Sequence, residues 1–323
     1  MKVLVTGATG MLGRATAQAL IDRGDAVSVL QRRPSLLPCR EVLGDVADPD
    51  AVRRAASGQD AVVHLAAKVD VTGPWTEYVS ANIQGTLNVV EACRAVGVSR
   101  LVHVSSPSVA HGGRALVGLG AEPADPGSAR GHYSRSKAVA EVAALAADSP
   151  ALAVLVVRPH LVWGPGDTQL VARVVARARA GRLPAIGSGT ALMDTTYVDN
   201  AATAMVAAVD ASGPVHGEPL VVSNGEPRPI LEMLQRICLA AGVPGPGRSM
   251  PFVAAWLAGA AVEGVWTVFR RRDLPPLNRF MAEQMATAHW FDQRRTRAAL
   301  GWSPHVSLDD GFTRLADWYA SNA

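Results

Sequence analysis

At 323 residues, with 49% hydrophobic and 18% charged residues, the chain is long enough for a large core and two lobes, and its composition excludes a disordered or fibrous protein. A formal net charge of +3 lacks the concentrated basic face of a nucleic-acid binder, and the local run Arg270-Arg271-Arg272 reads as a solvated helix end. Cys39, Cys93 and Cys238 are far apart, with no CxxC or Cys/His spacing, which argues against disulfides and a bound metal and for a reducing cytoplasm.

The first residues enter a strand directly, without the shape of a signal peptide. Lys2–Thr6 (KVLVT) is an apolar, β-branched run and is predicted as a buried strand. Gly7-Ala8-Thr9-Gly10-Met11-Leu12-Gly13 follows at once, and Arg14–Arg23 reads as a helix. Strand, GxxGxxG and helix in that order form the context in which such glycines mark a dinucleotide site. Gly7 permits the tight turn, Gly10 lets backbone approach a pyrophosphate, and Gly13 lets the helix pack on the strand. The segment is therefore expected to hold phosphates at a helix N-terminus, where N–H groups and the dipole attract anions.

Gly24 ends the helix, and Ala26–Leu30 is the second strand. An acid at this strand's tip would bond the 2′-hydroxyl of NAD, whereas an arginine would accept the 2′-phosphate of NADP. The tip reads Gln31-Arg32-Arg33, with two guanidiniums and no acid. NADP(H) is favoured on that ground. NAD(H) is the alternative if both arginines merely face solvent.

Val42–Asp45 looks like a short third strand, with Asp45 placed to bond the adenine amino group and Val46 to pack on its ring. Asp60–Ala67 is the fourth strand. The cofactor would pass its end at Leu65, Ala66 and Ala67, although ordinary packing explains these residues nearly as well. Lys68–Tyr78 reads as a loop facing substrate, and Asn82, a further cofactor candidate, opens a helix running to about Val96. Leu101–Ser105 is the fifth strand and ends in Ser105-Ser106-Pro107-Ser108, at the sheet edge where ligands bind. A hydroxyl there can hold a substrate carbonyl. Ser106 is the first choice and Ser105 the second, although serines also cap turns.

After a Gly/Pro-rich loop, Gly131–Glu141 (GHYSRSKAVAE) reads as the start of a helix. Tyr133 and Lys137 fall one turn apart on one face. A lysine ammonium beside the phenol should lower its pKa toward the working pH, so that Tyr133 could exchange a proton with a carbonyl or alcohol. Alone, YxxxK is as readily a surface tyrosine packed on a lysine stem.

Val154–Arg158 is the sixth strand, and the segment after it puts Pro159, Leu161 and Val162 at the crevice, with backbone groups for a nicotinamide amide. Met193–Asn200 reads as a strand leading into a helix over Asn200–Val209, and Leu220–Ser223 as a further strand. The expected division is a dinucleotide-binding domain over 1–166, to which 193–224 returns. A smaller, mostly helical substrate lobe comprises 167–192 and 225–323. Trp75, Trp163, Phe252, Trp256, Trp266 and Phe269 offer apolar walls for a substrate, or else are core. Lys68 or His160 could meet a substrate carboxylate. Pro251–Phe269 is nearly all apolar but carries Glu263. It is expected to be a helix of the second lobe lining an apolar pocket, with a membrane-surface contact as the lesser alternative.

TGATGMLG, the Asn82-led NIQGT, VSSPSV, YSRSK and RPHLVWGPGD together resemble the extended short-chain dehydrogenase/reductase superfamily, from residue 2 to about 319. SPSVAHGG, MDTTYVDNAA, VSNGEPRPI and LPPLNRFMAEQMATAHWF further resemble its 3β-hydroxysteroid dehydrogenase-like branch. The resemblance implies an α/β fold, a Rossmann-type doubly wound parallel sheet with a smaller mostly helical C-terminal substrate lobe. It implies a catalytic triad of Ser106, Tyr133 and Lys137, with Ser106 placed by counting back from Val109. Val109-Ala110-His111 departs from the Val-Tyr-Gly of sugar-modifying members, which argues against a nucleotide sugar and for apolar ketones and alcohols. The implied activity is NADP(H)-linked reduction of a 2-alkyl-3-oxoalkanoate to the 3-hydroxy acid. NAD-linked oxidation of a 3β-hydroxysteroid and epimerase or dehydratase chemistry are the alternatives. A non-catalytic member of the fold would have lost Tyr133 or Lys137. A homodimer is implied by resemblance alone.

Overall fold

The structure, a computed structural model, describes residues 1–70, 72–269 and 277–322, so the arginine run 270–272 lies outside the described residues. In chain order its first half runs β1 (Lys2–Thr6), α1 (Met11–Asp22), β2 (Ala26–Gln31), β3 (Arg40–Leu43), α2 (Pro49–Ala56), β4 (Ala61–His64), α3 (Trp75–Tyr78), α4 (Gly85–Val96), β5 (Arg100–Val104), β6 (Leu116–Leu119), α5 (Gly131–Leu145) and β7 (Ala153–Pro159). Then follow β8 (Val162–Trp163), α6 (Val171–Arg179), β9 (Ala185–Ile186), β10 (Leu192–Met193), β11 (Thr196–Tyr197), α7 (Val198–Ala211) and β12 (Pro219–Val222). The chain closes with β13 (Arg228–Pro229), α8 (Ile230–Ala240), β14 (Ser249–Met250), α9 (Phe252–Val268), α10 (Arg279–Ala286), β15 (His289–Phe291), α11 (Arg294–Leu300) and α12 (Leu308–Ser321).

Seven strands form one parallel sheet in the order β12-β7-β5-β4-β1-β2-β3. The central strands read as unbroken apolar runs because both faces are covered. On β1, Val3 and Val5 enter one layer with Met205 of α7, and Leu4 enters the other with Val89 and Cys93 of α4. The strand order reverses between β1 and β4. Ligands of open α/β sheets collect at such a switch point, outside the carboxyl ends of the strands. A third cluster, built on Trp163, Val174, Tyr197, Leu234 and Phe312, lies under the C-terminal helices.

Several local expectations shift. The third strand is Arg40–Leu43, so Asp45 and Val46 lie beyond it in a loop. α2 was not predicted, although Asp48 caps it by accepting from the Asp50 N–H at 3.0 Å and Pro49 opens it. The helix that Asn82 was expected to open already begins at Trp75 and passes through a wide π-turn over Val79–Gln84. The supposed loop before Tyr133 contains β6, which pairs with β15 in a small four-stranded sheet. α9 forms as expected and packs on α10. It does not wall the main cavity, and it leaves Val253, Leu257 and Val268 exposed. No helix among the described residues is long and apolar enough to cross a membrane.

Candidate active site

The glycine loop shows what each glycine does. Gly7 has φ +78°, and a Cβ there would stand 2.9 Å from the Ala66 backbone. A Cβ on Gly13 would stand 2.3 Å from the Gly7 carbonyl oxygen, which is the close helix–loop packing. Gly10 differs, because its Cβ would meet only that same oxygen, at 3.5 Å. The protein itself does not demand glycine there, and the open side faces the cavity. Gly10 is the N-cap of α1, which has no side-chain cap and no acid in its first turn. Its leading N–H groups are available to an anion.

From this loop a cavity of about 1150 Å³ runs past Ser105–Ser108 and Tyr133 to α6, α8 and α10. The residues expected at the cofactor line it, except Arg33 and Asn82. Asn82 is buried and structural. It accepts from the Lys68 N–H at 2.7 Å and donates to the Lys68 carbonyl at 3.1 Å and to Ser136 Oγ at 2.8 Å, tying the loop between β4 and α3 to α5. Three buried polar atoms of wall residues, Gln31 Oε1, Ser105 Oγ and His111 Nδ1, have no hydrogen-bond partner among the described residues. At the strand tip, Arg32 is 80% exposed and 4.0 Å from Asp45. An acid does stand near the tip, but it comes from the neighbouring strand. Glu41 accepts from the Ser35 N–H at 2.7 Å and from Gln31 Nε2 at 3.2 Å, and the Ser35 hydroxyl and backbone hold its carboxyl below the ordinary range.

β5 delivers Ser106 to the cavity, where its Oγ lies 3.0 Å from Ser108 Oγ and caps a short turn over Pro107–Ala110. Half-buried Tyr133 lines the same wall beside Ser106, whose hydroxyl acts to pull the phenol's pKa down. Lys137, one turn on, is buried, and its Nζ donates to the Val104 carbonyl at 2.6 Å and lies 3.5 Å from His103 Nε2. The expected lowering of the Tyr133 pKa is not found. Burial pushes the phenol up, with the Ser106 hydrogen bond pulling partly back, because the Lys137 ammonium is committed to a backbone carbonyl of β5. Burial instead brings Lys137 down to about 8, against the opposing charge of Glu141. Glu141, a further turn along α5, is fully buried and accepts from Arg158 Nε at 3.0 Å, which anchors α5 on β7.

The substrate end of the cavity is aliphatic, with Leu116, Leu170, Val174, Leu234, Met281 and Met285 on its wall. None of the six aromatics proposed for this role lies there. Trp163 is core, stacked on Phe312 at 4.6 Å between ring centroids, and Trp75 packs against His132. Phe269 is 71% exposed. Neither proposed carboxylate partner presents an available positive charge. Lys68 is matched by Glu77 at 3.0 Å and Asp70 at 3.5 Å. His160 donates from Nδ1 to the Asp194 carbonyl at 2.5 Å, and burial brings its pKa down to about 4, so it is neutral. His111, His160 and His289 meet edge to face at 4.8 and 6.1 Å on the cavity wall, a cluster the sequence did not reveal.

Residues 3–223 match the NAD dependent epimerase/dehydratase family. The chain is 43% identical to the 2-alkyl-3-oxoalkanoate reductase of Stenotrophomonas maltophilia strain K279a, over 98% of each chain. It is 35% identical to the 2-alkyl-3-oxoalkanoate reductase of Shewanella oneidensis, over 96% of this chain and 84% of that one. The solved structure of gox2253 superposes with a TM-score of 0.80 at 24% identity, over 99% of this chain and 98% of that one.

Proposed function

The chain belongs to the NAD dependent epimerase/dehydratase family of extended short-chain dehydrogenases/reductases, and we propose that it reduces a 2-alkyl-3-oxoalkanoate to the 3-hydroxy acid with NADPH. The observation that carries this reading is the phenol of Tyr133. Burial keeps it protonated beside Ser106, on a cavity whose far end is walled by leucines and methionines. A protonated phenol is the form that gives a proton to a carbonyl oxygen. Flexible Leu and Met side chains suit alkyl chains.

The open N-terminus of α1 and the unpartnered Gln31 and Ser105 oxygens fit a dinucleotide. Gly10–Gly13 would hold its phosphates, Arg32 a 2′-phosphate, and Pro159, Leu161 and Val162 the nicotinamide end. When bound, NADPH supplies the hydride to the carbonyl carbon. Ser106 donates to the substrate oxygen as negative charge develops there. Tyr133 releases its proton to the same oxygen. Lys137 Nζ, held on the Val104 carbonyl one turn along α5, would keep a positive charge on this side of the site at neutral pH.

Two expected outcomes test this assignment. Lys137 sits at about 8, below the ordinary lysine value, so it loses its proton as pH rises through that point. In the reductive direction kcat/KM should be full below this pH and fall above it, and Lys137→Arg should move the limb to higher pH; an alkaline limb unmoved by that substitution would assign it to another group. At the cofactor's other end, Arg32→Ala should raise KM for NADPH by about tenfold or more, the worth of a charge-assisted contact, and leave KM for NADH unchanged. Initial rates with the two cofactors on a 2-alkyl-3-oxo acid measure this directly, and equal effects on both would remove Arg32 from phosphate recognition.

A further inference from the structure

We propose that His103 is a positioning residue of the site, a neutral imidazole whose Nε2 accepts from the Lys137 ammonium and holds its proton in place; the inference rests on the part given to Lys137 above. His103 stands on β5 beside His64 on β4, in register across the sheet. Both are buried among Val62, Val63, Leu101 and Val102, and their ring centroids are 5.5 Å apart. Polar rings at the centre of an apolar sheet cost stability unless their nitrogens are bonded. The bonds they make fix which nitrogen of each ring carries the hydrogen.

His64 is fixed by two threonines. Thr86 gives its one hydroxyl hydrogen to the Asn82 carbonyl at 2.7 Å, so toward His64 Nε2, at 3.1 Å, its oxygen can only accept. Thr6 Oγ1 accepts from the Leu65 and Ala66 N–H groups at 3.2 and 3.1 Å and turns its own hydrogen to His64 Nδ1 at 2.8 Å. The ring is the neutral Nε2–H form, with burial and the Lys137 charge bringing its pKa down to about 3. Both its nitrogens are engaged, so it offers none to His103. His103 Nε2 lies 3.5 Å from Lys137 Nζ, and an ammonium has no lone pair, so the imidazole accepts. Its hydrogen is therefore on Nδ1, which has no hydrogen-bond partner among the described residues. The chain of bonds that begins at Lys137 ends at this ring. His103 retains the lysine's proton and does not relay it inward. Burial and the Lys137 charge keep His103 itself well below the ordinary histidine range. The other titratable groups around the pair are Tyr133 and Glu141 on α5 and Arg158 on β7, the last bound to Glu141.

The test pairs a pH profile with a spectrum. Without an acceptor the buried ammonium is less favoured, so in His103→Leu the alkaline limb of kcat/KM for NADPH-linked reduction should move down by about one pH unit. His103→Gln, whose side-chain oxygen can accept in the same place, should keep the limb near its wild-type position. A purely structural role would lower the rate or the stability of the leucine variant and leave the limb where it was, and that result would overturn the proposal. The second readout requires no turnover. With isotope-labelled histidine, long-range proton–nitrogen spectra of the wild-type protein should show His103, identified by its absence from His103→Gln, as the neutral Nδ1–H form. An Nε2–H or imidazolium signal would overturn the assignment, whether or not the leucine variant folds. Failure of the proposed activity shows separately, as wild-type protein with the expected histidine signal that consumes no NADPH with a 2-alkyl-3-oxo acid.

Discussion

Tyr133→Phe is expected to lower kcat for carbonyl reduction by about 10²–10⁴-fold, the usual worth of a positioned proton donor. The substitution keeps the ring and removes only the hydroxyl, so the packing at the start of α5 persists. Affinity for NADPH should be unchanged, because the phosphate loop and strand tip are built from other elements. Ser106 would keep its hydrogen bond to Ser108 at 3.0 Å and still polarise the carbonyl, which leaves a small residual rate. Steady-state rates with fluorescence titration of NADPH separate the two effects. A variant turning over at the wild-type rate would remove Tyr133 from the chemistry.

Gly13→Ala should abolish useful cofactor binding and destabilise the fold. The added Cβ would stand 2.3 Å from the Gly7 oxygen, 2.8 Å from its carbonyl carbon and 3.1 Å from Ala8 Cα. All three are backbone atoms, so no side chain can swing away. Gly7 cannot yield, because it is held at φ +78° with Ala66 behind it. Either α1 lifts from the loop or the loop distorts, at about 1–3 kcal/mol for overpacking. Both move the N–H groups that would meet the phosphates. Gly10→Ala is the informative contrast, since its Cβ meets only one atom, at 3.5 Å. It should fold with ordinary stability and lose NADPH affinity alone. Thermal unfolding with and without NADPH distinguishes the two, and a Gly10→Ala protein with normal affinity would place the phosphates elsewhere.

Much of the nucleotide side was legible because its determinants are local. A strand, three glycines and a helix lie in about the first two dozen residues, and the spacing of Tyr133 and Lys137 fixes their shared face. What the sequence hid was set by distant pairing. Glu41 reaches the strand tip because β3 lies beside β2. Lys137 Nζ is bound by the Val104 carbonyl, supplied by β5. His111, His160 and His289 come from three separate segments. Hydrophobicity alone does not tell core from pocket, and Trp163, a candidate substrate wall by sequence, is buried against Phe312. The local pattern at Asn82 suggests a helix opening, whereas its environment is the interior of a continuous helical stretch.

The central claim is net hydride and proton delivery to a ketone. It is tested most directly by incubating the protein with a 2-alkyl-3-oxoalkanoate and NADPH dideuterated at the nicotinamide C4. The predicted result is a 3-hydroxy acid carrying a single deuterium at carbon 3, formed in step with cofactor oxidation. An isomerised or dehydrated product with the cofactor unconsumed, or turnover confined to a 3β-hydroxysteroid with NAD, would contradict it.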